Sequence, residues 1–350
     1  MIQAWGASND VRASFKAIEI FQHMVQQFES SGDTSVKPNI HTFNAIISTL
    51  ARSSTHDKDA AKKAREILNR MEKMYLAGDY SVKPDIATYS SVINALAKSS
   101  YPDRAQQAEH MLKHIQKLPE RGIDGVVANR ITYNTVIDAW AKSDDIEAAQ
   151  NAEQIFDAMQ RLYLEGNSPE VKPDRISYSN VINAWSQSPL EGAAEKAEEW
   201  LTKMEEAAQN GDENHNLELR PNYIVYNSVL AAWARDAQEG SVRRAELVLR
   251  RMKAAYDGGN RDAKPGLASY NALIYAWSLS DRKEAPEKAE GILSFLQRIS
   301  AKGQDDLTPN VITMQSVLGC YTRNYRIDAI ERIEELKEII RRMSTKIAVQ

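Results

Sequence analysis

The chain has 350 residues, 43% hydrophobic and 26% charged, with a formal net charge of −4. This balance excludes a disordered chain, and no apolar run approaches the roughly 20 residues needed to span a bilayer. A single cysteine, Cys320, excludes internal disulfides and cysteine-based zinc sites and points to a reducing compartment.

Length alone would suggest two or three ordinary domains, but the chain repeats itself. The opening MIQAWGASND has neither the basic-then-apolar layout of a signal peptide nor the Arg/Ser-rich character of a transit peptide. Its MIQAWGAS reads as the back half of a first helix, so the chain reads as N-terminally incomplete. Six segments then align in order: NIHTFNAIISTLARS, DIATYSSVINALAKS, NRITYNTVIDAWAKS, DRISYSNVINAWSQS, NYIVYNSVLAAWARD and GLASYNALIYAWSLS. A seventh, NVITMQSVLGCYTRN, is degenerate. The residues after the aromatic are Asn44, Ser90, Asn134, Ser179, Asn227, Asn271 and Gln315, spaced by 44 to 48 residues.

Each repeat predicts two helices. In the first, Tyr133, Val136, Ile137 and Trp140 fall at i, i+3, i+4 and i+7, one helical face. Five of the six tryptophans (Trp5, Trp140, Trp185, Trp233, Trp277) share that last slot. The second helix carries Ala, then an aliphatic or aromatic residue, then usually Met: Ala152, Phe156 and Met159, or Ala245, Leu249 and Met252. Both stripes read as core. Pro38, Pro84, Pro173, Pro221, Pro265 and Pro309 end the connections, and the Asn, Asp or Gly that follows each suits the start of the next helix. A two-helix unit cannot bury its own apolar face, so stacking is obligatory. The expected fold is all-α, a right-handed α-solenoid superhelix of paired antiparallel helices. Its single array divides into a partial repeat 1–39, full repeats 40–85, 86–129, 130–174, 175–222, 223–266 and 267–310, and a degenerate terminal repeat 311–350.

The segments ITYNTVIDAWAKS, ISYSNVINAWSQS and IVYNSVLAAWARD, each introduced by a Pro-Asp turn or an Asn, resemble the pentatricopeptide repeat. The family's usual unit is 35 residues; here the extra residues fall between the helices (SSTHDKDAA) and after the second helix (MYLAGDYSVKPD). The long unit resembles the repeat region of protein-only ribonuclease P and related organellar proteins. The resemblance implies single-stranded RNA as partner, with one repeat per base, no cofactor, and no membrane or small-molecule substrate. It places the chain in a mitochondrion or chloroplast, acting in RNA processing, stability or translation without bond chemistry, and with protein partners of an RNA-processing complex.

Transferred to this chain, the base-reading pairs are Asn44 with Asp85, Ser90 with Asn129, Asn134 with Asp174, Ser179 with Asn222, Asn227 with Gly266, and Asn271 with Asn310. The family's preferences for these pairs imply 5′-U-A-U-A-N-C-3′. Asn and Ser are mediocre helix formers, so their recurrence in this slot calls for a reason. Base reading is one; helix capping is the other, although Thr42, Thr88, Thr132, Ser177 and Ser269 just upstream are alternative caps. Two residues before the aromatic, Ile131, Ile176 and Ile224 suit base stacking or ordinary packing between repeats, and His41, Ala87, Ala268 and Ile312 share their slot. Nine residues after the aromatic, Arg52, Lys98, Lys142, Arg235 and Arg323 suit phosphate contact or a helix C-terminus. The first-helix segments 40–53, 86–99, 130–143, 175–188, 223–236, 267–280 and 311–324 carry a summed charge of +5. Acid gathers instead in GDENHNLE and AEKAEEW, so a polyanion meets a positive local face on an acidic chain.

No catalytic constellation appears. His110 and His114 have the i, i+4 spacing of a zinc pair, but HMLKH lacks the glutamate of the metalloprotease motif, and they read as incidental surface histidines. Dispersed carboxylates do not form the cluster of a metal-dependent nuclease. The other readings are a protein-binding helical-repeat scaffold and the recognition arm of a nuclease whose catalytic domain lies elsewhere.

Overall fold

The computed structural model describes residues 2–8, 10, 12–166, 168–209, 217–236, 238, 240–324 and 329–348, which hold α-helices, short 3-10 turns and no strand. Met1 and most of the acidic GDENHNLE segment, residues 211–216, lie outside them. The chain divides into two units, Met1–Ala184 and Trp185–Gln350. Unit 1 holds the pairs α1 (Ile2–Ala7) and α2 (Ala13–Ser31), α3 (Ile40–Ser53) and α4 (Ala60–Leu76), α5 (Ile86–Lys98) and α6 (Arg104–Gln116), and α7 (Arg130–Ala141) and α8 (Ala148–Glu165). The division falls within α9 (Arg175–Gln187). Unit 2 continues with α10 (Ala193–Gln209), then pairs α11 (Tyr223–Arg235) with α12 (Ser241–Asp257), α13 (Leu267–Leu279) with α14 (Ala285–Ser300), and α15 (Val311–Arg323) with α16 (Ile330–Ala348).

Connections of five or six residues inside a pair leave room for an antiparallel return and little else. In unit 1, α3 packs on α1, α2, α4 and α5, so first helices meet first helices while α2, α4 and α6 each fill the groove between two of them. In unit 2, α13 packs in the same way on α11, α12, α14 and α15. This is the stacked α-solenoid arrangement, in which each repeat buries its apolar stripe against its neighbours. Phe43, Ile46, Ile47 and Leu50 on α3 are fully buried, as are Ala64, Leu68 and Met71 on α4. Alanines 108, 152, 197, 245 and 289 are likewise buried, and their small side chains allow the close approach. Trp140, Trp185, Trp233 and Trp277 are buried, whereas Trp5 is half-buried. One detail differs from the sequence expectation: on α12 it is Val248 that faces the core, and Leu249, one residue on, is turned about 100° away and only half-buried.

The long connections after the second helices are not shapeless. Each contains a 3-10 turn, and at Tyr80–Val82, Pro169–Val171, Arg261–Ala263 and Asp305–Leu307 its last residue is buried and pins the connection to the core. Gly78 (φ +100) and Gly303 (φ +92) take the left-handed backbone that turns the chain out of α4 and α14.

Polar bonds join second helices to the following repeat. Trp140 Nε1 donates to Glu109 Oε2 at 2.9 Å, and Trp233 Nε1 to Glu198 Oε2 at 2.7 Å. Glu198 is 5% exposed and is also held by Arg244 and Arg251 of α12. Glu205 accepts from Tyr226 and Arg251, and Glu290 from Tyr321 and Arg332. Buried Glu72 on α4 accepts from Tyr89 Oη at 2.8 Å and meets His114 Nε2 at 2.7 Å. His114 is therefore no incidental surface histidine. Facing a carboxylate at Nε2 and the Arg121 guanidinium at Nδ1, 2.9 Å away, it donates through the first and accepts through the second. His110, one turn earlier, is exposed as expected.

Two outcomes follow from this packing. Trp140→Ala leaves a cavity and takes from Glu109 Oε2 its donor, Lys113 still pairing with Oε1, and should cost about 3–5 kcal/mol. The loss should be confined to its own and adjacent repeats, seen as partial loss of helicity in thermal unfolding followed by circular dichroism. Parental unfolding would put Trp140 outside the core. The second concerns acid. Burial raises the Glu72 pKa, but hydrogen bonds from His114 and Tyr89 outweigh it and hold the carboxyl below its ordinary 4.5. Its contribution is complete above that value and is lost as pH falls through the lower folded-state value. Glu72→Gln should therefore unfold less steeply than the parent below pH 4.5; identical acid transitions would show that the carboxylate contributes nothing.

Candidate nucleic-acid interface

The first helices begin in a shared way. Asn39, Asp85, Asn129, Asn222 and Asn310 stand at the N-cap with extended backbone, and each side chain accepts from a backbone N–H of the first turn. Asp174 does the same toward Ser177 N at 3.0 Å. The caps are thus the residues after the prolines, with Asn129 following Ala128. Thr42, Thr88, Thr132, Ser177 and Ser269 do not occupy the cap position: they are third in their helices. Nor do Asn44 and its equivalents cap their own helices, since they are fifth.

Position five reaches across to the next repeat. Asn44 Nδ2 lies 3.4 Å from both carboxylate oxygens of Asp85, and Asn44 Oδ1 accepts from Thr88 Oγ1 at 2.6 Å. Asn134 Nδ2 donates to Asp174 Oδ1 at 3.0 Å and its Oδ1 accepts from Ser177 Oγ at 2.7 Å. In unit 2, Asn271 meets Asn310 at 3.4 Å and Thr313 at 2.8 Å. Asn227 accepts from Ser269 at 2.7 Å, and Gly266 supplies no side chain. Ser90 and Asn129 are joined through Thr132, whose hydroxyl is 3.0 Å from each. Ser179 turns its hydroxyl back to the Arg175 carbonyl at 2.6 Å, while Asn222, in unit 2, caps α11. Three of the six expected pairs are in direct hydrogen-bond contact and a fourth is bridged. Asn134 and Asn271 expose no more than 9% of their surface, so they present an edge rather than a whole side chain. Arg130 adds a cation 3.2 Å from the outer oxygen of Asp174.

The slot three residues earlier on the same face is open to solvent. Ile131 is 67% exposed, Ile176 56%, Ile224 54% and Ile312 58%, and His41, Ala87 and Ala268 are exposed too. Packing between repeats therefore does not account for these aliphatics. A second-position isoleucine beside a fifth-position amide is an i, i+3 pair, an apolar face next to a polar edge.

The cations are less uniform. Arg52 and Lys98 are exposed at the far ends of α3 and α5 and form no ion pair among the described residues. Lys142 pairs with Asp138 at 2.7 Å and Arg323 with Asp281 at 2.8 Å. The Arg235 guanidinium donates to the Ser186 carbonyl. Each of these three would exchange a partner on meeting a phosphate. Among the described residues no group of three or more His, Cys, Asp and Glu is placed to hold a metal ion, and no helix is long and apolar enough to cross a membrane.

The third-position hydroxyls are the residues of this face that sequence reasoning misplaced: they bond the previous repeat rather than stand at the cap. Their signal was present: Thr or Ser stands immediately before the aromatic in every repeat except the one starting α11, where Val225 replaces it.

Residues 36–99 match the family described as pentatricopeptide repeat domain, and residues 87–113 and 131–164 match the family described as PPR repeat. No curated protein matches the chain significantly. Among solved structures, the pentatricopeptide repeat protein PPR10 from maize is 18% identical over 92% of this chain, with a TM-score of 0.30. The chain spans 51% of that protein's length. Between residues 36 and 164, therefore, the chain carries segments that match pentatricopeptide repeats.

Proposed function

We propose that the protein is a sequence-selective single-stranded RNA-binding protein that reads one base per repeat. It acts in organellar RNA processing, stability or translation, in a mitochondrion or chloroplast, by occupying or remodelling RNA rather than cutting it. In this reading the whole chain is one array, with full repeats 40–85, 86–129, 130–174, 175–222, 223–266 and 267–310. The observation that carries it is the pairing, on one helical face, of an exposed aliphatic residue with an amide already joined to its expected partner, complete at Ile131 with Asn134 and Asp174 and made with the smaller Ala268 at Asn271 and Asn310. The aliphatic offers a surface for a base to stack on, and the polar pair offers an edge to read.

The chemistry of the Asn–Asp pair supports uracil. Asn44 uses one Nδ2 hydrogen toward Asp85 and keeps the other, and Asp85 keeps outward lone pairs. One donor beside one acceptor complements the O4 and N3–H of uracil, whereas cytosine and adenine put an unprotonated ring nitrogen before the carboxylate. A stranded polar edge costs about 1–3 kcal/mol, enough to discriminate. Arg52 and Lys98 supply phosphate contact first; Lys142, Arg235 and Arg323 join by exchange.

The test is retention of a randomised single-stranded RNA pool by the 350-residue chain, with sequencing of the bound fraction. Enrichment of U-A-U-A-N-C is the expected result. Log affinity should fall with log salt with a slope between about −1.4 for two contacts and about −3.5 for five. Arg52→Gln with Lys98→Gln should flatten it by about 1.4 for all sequences alike. RNA that is not retained, or affinity unmoved by salt, would overturn the proposal and favour a protein-binding scaffold.

A further inference from the structure

The base-reading edge of an asparagine depends on which way its carboxamide faces. The two ends are nearly the same size, and a half-turn exchanges donor for acceptor. At Asn44 the neighbours decide. Asp85 has only lone pairs to offer, so the end 3.4 Å from it is the amino group. The carbonyl end then faces Thr88 Oγ1 at 2.6 Å. That hydroxyl accepts the Asp85 backbone N–H at 3.2 Å, and its one proton has two acceptors in reach, Asp85 Oδ1 at 2.8 Å and Asn44 Oδ1 at 2.6 Å, of which Asn44 is the nearer. What is left for a ligand is the second amino hydrogen.

The same arrangement recurs at Asn134 with Ser177, Asn227 with Ser269, and Asn271 with Thr313. These hydroxyl residues and Thr88 are completely buried, so none can touch RNA itself. Each of the four asparagines in the slot has such a partner. Where Val225 stands in place of a hydroxyl, the reading slot of the preceding repeat holds Ser179, which has no carboxamide to orient.

We infer that the third residue of each first helix, in Thr88, Ser177, Ser269 and Thr313, is a specificity-determining positioning residue for the reading asparagine of the repeat before it. This rests on the base-reading function proposed above. Without the hydroxyl, Oδ1 loses its donor and only the N-cap partner, Asp85 at the first site, still opposes the half-turn; the carboxamide is held less firmly, and the site offers an acceptor to some bases as well as a donor. Discrimination falls while affinity for RNA changes little.

The test uses Thr88→Val, nearly the same shape, with Thr88→Ser as the conservative control and Ser177→Ala as an independent variant. Fluorescence anisotropy would measure binding to single-stranded RNAs differing only in the base read by repeat 40–85 or by repeat 130–174, with helicity and thermal midpoint recorded for every protein. The parent and Thr88→Ser should prefer U at the first site by about tenfold, the value of one well-made polar pair. Thr88→Val should cut that preference to about threefold or less and leave the second site alone; Ser177→Ala should do the reverse. A merely structural role would weaken both sites together. If Thr88→Val does not fold, Ser177→Ala decides. Folded variants that keep full base preference would overturn the inference while leaving base reading intact. A parent that binds RNA without base preference would overturn base reading, and the inference with it.

Discussion

An α-helix starts with four backbone N–H groups that have no partner inside the helix. In this protein the residue that satisfies one of them is also gripped from the repeat before. Asp85 accepts the Thr88 N–H of its own helix and faces the Asn44 amino group of the previous one, and Thr88 returns a proton to Asn44. Capping and stacking are thus one interaction. It sets the register of neighbouring first helices within a unit, because sliding one past the next would leave a buried hydroxyl and an amide unpaired, each at about 1–3 kcal/mol.

A second polar layer joins α4, α6, α10 and α14 to the repeat that follows each of them. There the acceptors are glutamates of the second helices and the donors are Trp, Tyr, His and Arg of the following repeat. Between the two layers lies the apolar stripe of aromatic, aliphatic and Met side chains. The arrangement also bears on charge. Glu72, Glu198, Glu205 and Glu290 face inward partners, so part of the acid behind the net −4 is matched inside the protein. What a polyanion meets is decided by the remaining exposed charges.

The asparagines that hold repeats together are the same ones proposed to read RNA. An amide with its carbonyl occupied and one hydrogen given to the next N-cap is preorganised: it presents one defined donor and has no rotamer freedom to lose on binding. The exposed isoleucines beside it stand in the opposite situation. They make no use of their apolar surface within the protein, and contact with a flat base would recover it.

The sequence alone determined the all-α repeat, its 44–48-residue period and the Trp and Met core stripes, because each depends on local spacing or on a slot that recurs; the six pairs expected to read bases came from the family resemblance of that slot. Periodicity averages over copies, so one misfit such as Leu249 cannot hide the pattern. Only the tertiary structure decided what depends on a neighbour's atoms. Thr88 reads in sequence as a possible cap, and becomes the donor to Asn44 once the next helix is placed beside it. His114 reads as half of an unconvincing metal pair, and becomes a half-buried link once Glu72 lies 2.7 Å away. The exposure of Ile131 and the pairing of Arg323 with Asp281 likewise follow from which groups share a face and which have solvent before them. Residue type limits the bonds a side chain can make; the partner that completes them lies some forty residues away and is supplied by the fold.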